Sequence, residues 1–202
     1  MFKSTMHFQR FALGLICGLL PVTTLLFGLL GTYQGINFPG WFFSISATFY
    51  SNAGPLMIAA LSICSFFLFS YRGYDLGDKY LTNFAAVAAL GVIFYPCTTD
   101  AAGAYVGLFA IPLKISNILH NVSAAILFGS FTIMTMVQFP KGGQKKRNVL
   151  YRICGVIMFL SMAGIPIGHH FDLPGYTTMI CEIVLLESFA IAWIVKSDVI
   201  KK

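Results

Sequence analysis

Residues 176–196 read Tyr-Thr-Thr-Met-Ile-Cys-Glu-Ile-Val-Leu-Leu-Glu-Ser-Phe-Ala-Ile-Ala-Trp-Ile-Val-Lys. A bilayer core of about 30 Å is crossed by about 20 apolar residues in a helix. This stretch meets that length, with two carboxylates inside it and a lysine at its end. Five further segments do the same: 11–31, 53–71, 81–97, 115–139 and 149–168. Hydrocarbon offers no partner to an exposed peptide group, so each segment is expected to be a helix. A transmembrane barrel needs short alternating strands, and the sequence has none. The expected fold class is all-α, a single polytopic domain over 1–202 with six membrane-spanning helices.

Composition agrees. Of 202 residues, 57% are apolar and 10% charged, against about 25% charged in soluble domains. That excludes a soluble globule and a disordered chain. The net charge of +6 comes from 13 Lys and Arg against 7 Asp and Glu. The basic residues are scattered over short connections, so no nucleic-acid face is expected. Sorted by side, Lys3, Arg10, Arg72, Lys79, Lys141, Lys145, Lys146, Arg147, Arg152, Lys196, Lys201 and Lys202 fall together, and Lys114 stands alone opposite. The positive-inside rule then puts both termini in the cytoplasm. The run 11–31 is longer than a signal-peptide core and lacks a clear cleavage site, so it reads as a retained span. The expected location is a cell membrane, the inner one in a bacterium.

Aromatic residues mark the expected interfaces: Trp41, Phe42, Phe43, Tyr50, Tyr95, Tyr105 and Tyr176 outside, and Tyr71, Tyr74, Tyr80, Tyr151 and Trp193 inside. The five cysteines, 17, 64, 97, 154 and 181, show no Cys-x-x-Cys spacing and read as small core residues. Cys97 and Cys181 share the outer side, where a disulfide between them is an open alternative. Pro21 and Pro166 fall inside spans, where proline kinks a helix.

Ionisable groups within a membrane are functional candidates because burying them is costly. Glu187 lies near the midplane of the sixth span. Glu182 and His120 each lie roughly 8–9 Å below the outer surface at about 1.5 Å per residue. Ser116, His120 and Ser123 share one face of the fourth span, with Asn117 and Asn121 flanking it, so that half-helix is expected to face protein or water. Ser46 follows the apolar outer run Phe38-Pro39-Gly40-Trp41-Phe42-Phe43. His120, Glu182, Glu187, Asn117, Ser123 and Ser46 are therefore the candidate ligand-binding residues of a polar outer cleft.

Asp100, His169, His170 and Asp172 add oxygen and imidazole groups at the outer ends. Together with His120 and Glu182 they make a candidate zinc set, since catalytic zinc takes three protein ligands and a water. No His pair has one-turn spacing on a helix, so the favoured expectation is a His120–Glu182 hydrogen bond with exposed loop histidines and no cofactor. A Ser46–His120–Asp100 nucleophile arrangement lacks a nucleophile-elbow motif. On the inner side, Asp75 or Asp78 is expected to pair with Arg147 or Arg152. Alternatively, Lys145, Lys146, Arg147 and Arg152 form a contact for anionic lipid.

Several pieces carry a family resemblance: Ser44-Ile45-Ser46-Ala47-Thr48-Phe49-Tyr50-Ser51-Asn52, Tyr71-Arg72-Gly73-Tyr74-Asp75, Ala89-Leu90-Gly91-Val92-Ile93-Phe94-Tyr95-Pro96, His120 with Ser123-Ala124-Ala125, and Arg147-Asn148 with Tyr151-Arg152-Ile153-Cys154-Gly155. Over residues 40–196 the chain resembles an uncharacterised bacterial family of six-helix integral membrane proteins. More distantly it is similar to eukaryotic membrane proteins of the Frag, DRAM and Sfk type. That resemblance implies a link to lipid organisation or GPI-anchor lipid remodelling. Ceramidase-like hydrolases are remoter still. They hold zinc with Ser, Asp and three His, whereas this chain has Glu182 and Glu187 where they have paired histidines. The expected function is binding of membrane lipid or a small apolar ligand in the outer cleft. The alternatives are a metal-dependent intramembrane lipid hydrolase and, third, a small-solute transporter, which the absence of a three-span repeat disfavours.

Overall fold

Helices dominate the computed structural model, which describes residues 2–33, 43–99, 102–142 and 145–198. Six α-helices lie among the described residues: α1 (Phe2–Tyr33), α2 (Gly54–Ser70), α3 (Leu76–Phe94), α4 (Leu113–Ile133), α5 (Lys145–His170) and α6 (Thr177–Lys196). Four stretches are long and apolar enough to cross a membrane: Thr5–Gly28, Leu113–Gly142, Lys145–His170 and Thr177–Lys196. α2 is apolar but shorter. A 3-10 turn, Ser46–Tyr50, precedes α2.

Helix boundaries follow local chemistry. α2 has Pro55 in its first turn, where the missing N–H is no loss. α3 begins at Leu76, five residues before the expected 81, because the Asp75 side chain accepts the Asp78 N–H at 3.0 Å. Asp78 in turn accepts the Tyr74 N–H. This reciprocal cap uses both carboxylates locally. The pairing expected with Arg147 or Arg152 is therefore not formed: Lys141 takes Asp75 at 2.5 Å, and Arg147 takes Asp198. α3 ends at Phe94 rather than 97. Beyond it, Tyr105–Val106 and Ile111–Pro112 form a two-stranded hairpin absent from the sequence reading. Its turn needs Gly107, at φ +75°, where a side chain would strike the Phe94 carbonyl.

α4 continues through a π-helical turn, Met134–Gln138, into a 3-10 turn, Phe139–Gly142. Gly155 of α5 lies against the Met136 side chain in this wide turn. Pro21 and Pro166 lie inside α1 and α5.

The helices form a ring in chain order. Each packs against the next, and α6 closes the circle against α1. Small residues allow the close seams. Gly14 of α1 backs onto the Ala190 carbonyl and the Ile194 backbone, while Ala85, Ala86 and Ala89 of α3 are fully buried. Inside the ring sit Leu13, Leu68, Met134, Met158, Leu185 and Trp193, and Phe131 stacks on Phe189 at 3.8 Å. Outside it, large apolar side chains such as Phe66, Phe84, Val87, Ile118 and Leu160 are exposed. That pattern inverts a soluble protein and suits a lipid surround. The start of α1, the end of α2, the start of α3 and the end of α6 meet at one end, where Arg10 bonds Tyr71, and Lys196 lies over the Tyr74 ring.

Candidate functional site

The polar face of α4 does cap work. Chain termini of helices leave carbonyls without intrahelical donors, and α3 unravels at Tyr95 and Pro96. His120 Nδ1 lies 2.8 Å from the Tyr95 carbonyl, and the Ser116 hydroxyl donates to the Pro96 carbonyl at 2.9 Å. Asn117 Oδ1 accepts the Thr98 N–H at 2.9 Å. The Tyr50 phenol donates to the Cys97 carbonyl at 2.9 Å, and burial pushes its pKa up to about 12. Ser116 and His120 are buried, as the face predicts. The Ser123 hydroxyl occupies the space where a Gly91 side chain would begin.

The His120–Glu182 hydrogen bond expected from the sequence is not formed. His120 is turned toward the end of α3, while Glu182 points to the segment before α2. Its Oε2 accepts the Ile45 N–H at 2.5 Å and its Oε1 accepts the Ser46 hydroxyl at 3.1 Å. Two rules of burial explain this. A carboxylate removed from water needs donors, and the first N–H groups of the Ser46–Tyr50 turn need acceptors. Each requirement satisfies the other. Ile45, Ala47 and Thr48 are buried as a result.

Glu182 and Ser46 head a partly open apolar cavity. Its walls come from five helices of the ring: Cys17 and Leu20 of α1, Met57, Leu61 and Cys64 of α2, Ala89 and Val92 of α3, Ala124, Leu127, Phe128 and Phe131 of α4, and Leu186 of α6. Apart from Glu182 and Ser46, the polarity of the wall is confined to the thiols of Cys17 and Cys64, 4.0 Å apart. The arrangement can take an apolar body and offer acceptor oxygens to one polar end.

Glu187 lies five residues further along α6, half-buried, with its carboxylate facing Gly18 of α1. It is outside the cavity lining. His120, Asn117 and Ser123 are outside it as well, because they serve the α3–α4 seam. Of the six candidate ligand residues, the cavity gathers Ser46 and Glu182. The sequence reading missed Ile45, whose contribution is a backbone N–H, and the thiols of Cys17 and Cys64, which apolar patterning treats as core.

The candidate zinc set does not fit. Among the described residues no three His, Cys, Asp or Glu side chains converge. His169 Nε2 lies 3.4 Å from the Thr178 hydroxyl, and the exposed His170 packs edge-on to Phe171. Asp100 lies outside the described residues. The Ser46–His120 part of a nucleophile arrangement is likewise not formed, since Ser46 bonds Glu182. Cys97 and Cys181 are free; Cys181 lies against Gly164 and Cys97 is buried.

At the opposite end, Lys145, Lys146 and Arg152 are exposed and Arg147 is half-buried. Tyr71, Tyr151 and Trp193, expected at the lipid interface, are buried instead. Tyr71 faces Arg10 and Tyr151 faces Lys196, two cations that the sequence reading used only to assign orientation, while Trp193 packs against Tyr71 and Phe139. Arg10 donates to the Tyr71 phenol oxygen at 3.0 Å, and the Lys196 ammonium donates to the Phe139 carbonyl at 2.6 Å.

No family model matches the chain, and no curated protein or solved structure is significantly similar to it.

Proposed function

We propose that this chain is a multi-pass protein of a bacterial cell membrane that holds a lipid or another small apolar molecule in the cavity headed by Glu182 and Ser46. In this reading all six helices cross the bilayer and both termini are cytoplasmic. Support for the topology comes from the ring of alternating helices and from the crowding of basic residues at one end. The resemblance to six-helix membrane proteins points the same way. α2, with 17 residues, covers about 26 Å at about 1.5 Å per residue, and the Ser46–Tyr50 turn extends it toward the outer side.

The observation that carries the ligand reading is the cavity itself: apolar walls from five helices, with one buried carboxylate and one hydroxyl at a single end. A carboxylate beside a hydroxyl orients a ligand through its donor groups, a hydroxyl or amine at the end of an apolar chain. The role is binding, with no reaction assigned.

The test is mass spectrometry of apolar molecules that co-purify with the chain in mild detergent, wild type beside Ala124→Phe. The larger ring fills the space beside Leu127 and Phe128. We expect one molecule per wild-type chain and none in the variant, with both proteins equally monodisperse. Equal lipid content in the two would overturn the reading. Topology is read separately: alkaline phosphatase fused after residue 173 should be active, and fused after residue 198 inactive. The reverse pattern, or activity at both positions, rejects the six-span orientation.

A further inference from the structure

The structure assigns a second binding site, for a phosphate group, to a polar pocket at the basic end of the ring. It is independent of the cavity headed by Glu182. The pocket is partly open and is lined by Tyr74, Phe139 and Gly142, by Arg10 of α1, by Arg147, Asn148 and Tyr151 of α5, by Lys196 of α6 and by Asp198 beyond it. Three cations and one carboxylate line it, a surplus of two positive charges, matching the charge of a phosphate monoester.

Three observations point to an anion. First, the cations are held in place rather than waving in solvent. Lys196 is 5% exposed and Arg10 is 7% exposed. The Lys196 ammonium lies 4.8 Å, 5.4 Å and 5.3 Å from the ring centres of Tyr74, Phe139 and Tyr151. The Arg10 guanidinium sits 5.5 Å from the Tyr71 ring centre. Aromatic faces stabilise such cations; the Lys196 ammonium also bonds the Phe139 carbonyl and the Tyr74 hydroxyl, and the Arg10 guanidinium, with five N–H groups, places two of them on the Tyr71 oxygen.

Second, the supply of negative charge is short. Asp78 is committed to the Tyr74 N–H and Asp75 to Lys141. Among the described residues Asp198 is the acidic side chain that lines the pocket, where it engages Arg147. Asp198 has φ +58°, in the left-handed region, which aspartate enters more readily than most residues. Its carboxylate occupies the position on Arg147 that a phosphate oxygen would take. Planar guanidinium donors suit phosphate in two-point contact, and the Asn148 amide adds a neutral donor.

Third, the wall at position 142 is a glycine, where a Cβ would lie 3.0 Å from both the Lys196 ammonium and the Tyr74 hydroxyl. The pocket is at the level where the headgroups of the inner leaflet would sit. The phosphate is thus either that of an anionic lipid or one free in the cytoplasm, and the chemistry is shared.

The experiment uses the full chain in neutral detergent. Native mass spectrometry measures retention of phosphatidic acid against diacylglycerol, and calorimetry measures binding of inorganic phosphate. Asn148→Asp adds a negative charge to the wall without touching the buried cations, and should weaken binding about tenfold or more. Asp198→Asn removes the internal competitor and should tighten it severalfold. Exposed Lys145→Gln with Lys146→Gln should leave it unchanged. Phosphatidic acid retained by the wild type, with these shifts, assigns a headgroup site. Binding of inorganic phosphate alone, with the same shifts, assigns a soluble phosphate. The proposal is overturned if neither probe binds, if phosphatidic acid is held no better than diacylglycerol, or if the two exposed lysines govern binding while Asn148→Asp and Asp198→Asn do not.

Discussion

The carboxylate of Glu182 accepts the Ile45 N–H at 2.5 Å and the Ser46 hydroxyl at 3.1 Å, joining α6 to a turn more than 130 residues earlier in the chain. That contact forms the polar end of the apolar cavity. Glu182→Ala strands the Ile45 N–H away from water, which costs about 1–3 kcal/mol. Glu182→Gln keeps an acceptor oxygen and should cost less. Thermal unfolding of the detergent-solubilised variants checks the order. Equal melting of wild type and Glu182→Ala would show that the turn is held by packing alone.

His120 serves the α3–α4 seam through the Tyr95 carbonyl at 2.8 Å. Hydrogen bonds between membrane helices average about 0.6 kcal/mol and reach about 1.7 kcal/mol. His120→Ala should fall near the upper part of that range or beyond it, since a buried ring is also lost. Zinc per chain should be the same in both proteins. One zinc per wild-type chain, lost in the variant, contradicts the structural role.

Gly14 marks the seam where α6 closes the ring. A Cβ there would lie 3.0 Å from the Ala190 carbonyl oxygen and 3.0 Å from the Ile194 nitrogen, backbone atoms that cannot swing aside. Gly14→Ala should destabilise by about 1–3 kcal/mol, as overpacking does, and Gly14→Leu should abolish a monodisperse product. Size-exclusion profiles of the two variants decide. By contrast, Gly129 has open space around it, so Gly129→Ala is expected to be harmless.

Asp75 carries the pH dependence outside the spans. The Lys141 ammonium, and then the Asp78 N–H, hold its carboxyl below the ordinary range. A pKa lowered in the folded state stabilises above the unfolded value, about 3.9, and that part is lost as pH falls through the folded one. The difference in melting temperature between wild type and Asp75→Asn should therefore be positive at neutral pH and close below about pH 4. Because the pair is exposed, high salt should shrink the difference. A gap that is constant with pH would assign the effect to the helix cap rather than to the charge.

The spacing of apolar residues alone determined that this is an all-helical, membrane-type chain, and it placed α2, α5 and α6 to within four residues at each end, whereas α1 starts nine residues before the expected 11 and α4 ends in a π-helical turn six residues before the expected 139. Hydrocarbon forces each segment to satisfy its own backbone, so element type is a local property and can be read locally. The face of α4 bearing Ser116 and His120 was equally legible as a buried face, because helical periodicity fixes which side chains share a side. What those side chains touch was not. His120 and Glu182 match in depth and chemistry, yet the ring order of the helices gives His120 to the frayed end of α3 and Glu182 to the Ser46–Tyr50 turn. Likewise, Tyr71, Tyr151 and Trp193 have the composition of an interface belt, and only packing turned them inward, Tyr71 onto Arg10, Tyr151 onto Lys196 and Trp193 onto Tyr71 and Phe139. Partner choice depends on which helices are neighbours and on where backbone groups are left unpaired, and both are settled when the ring closes.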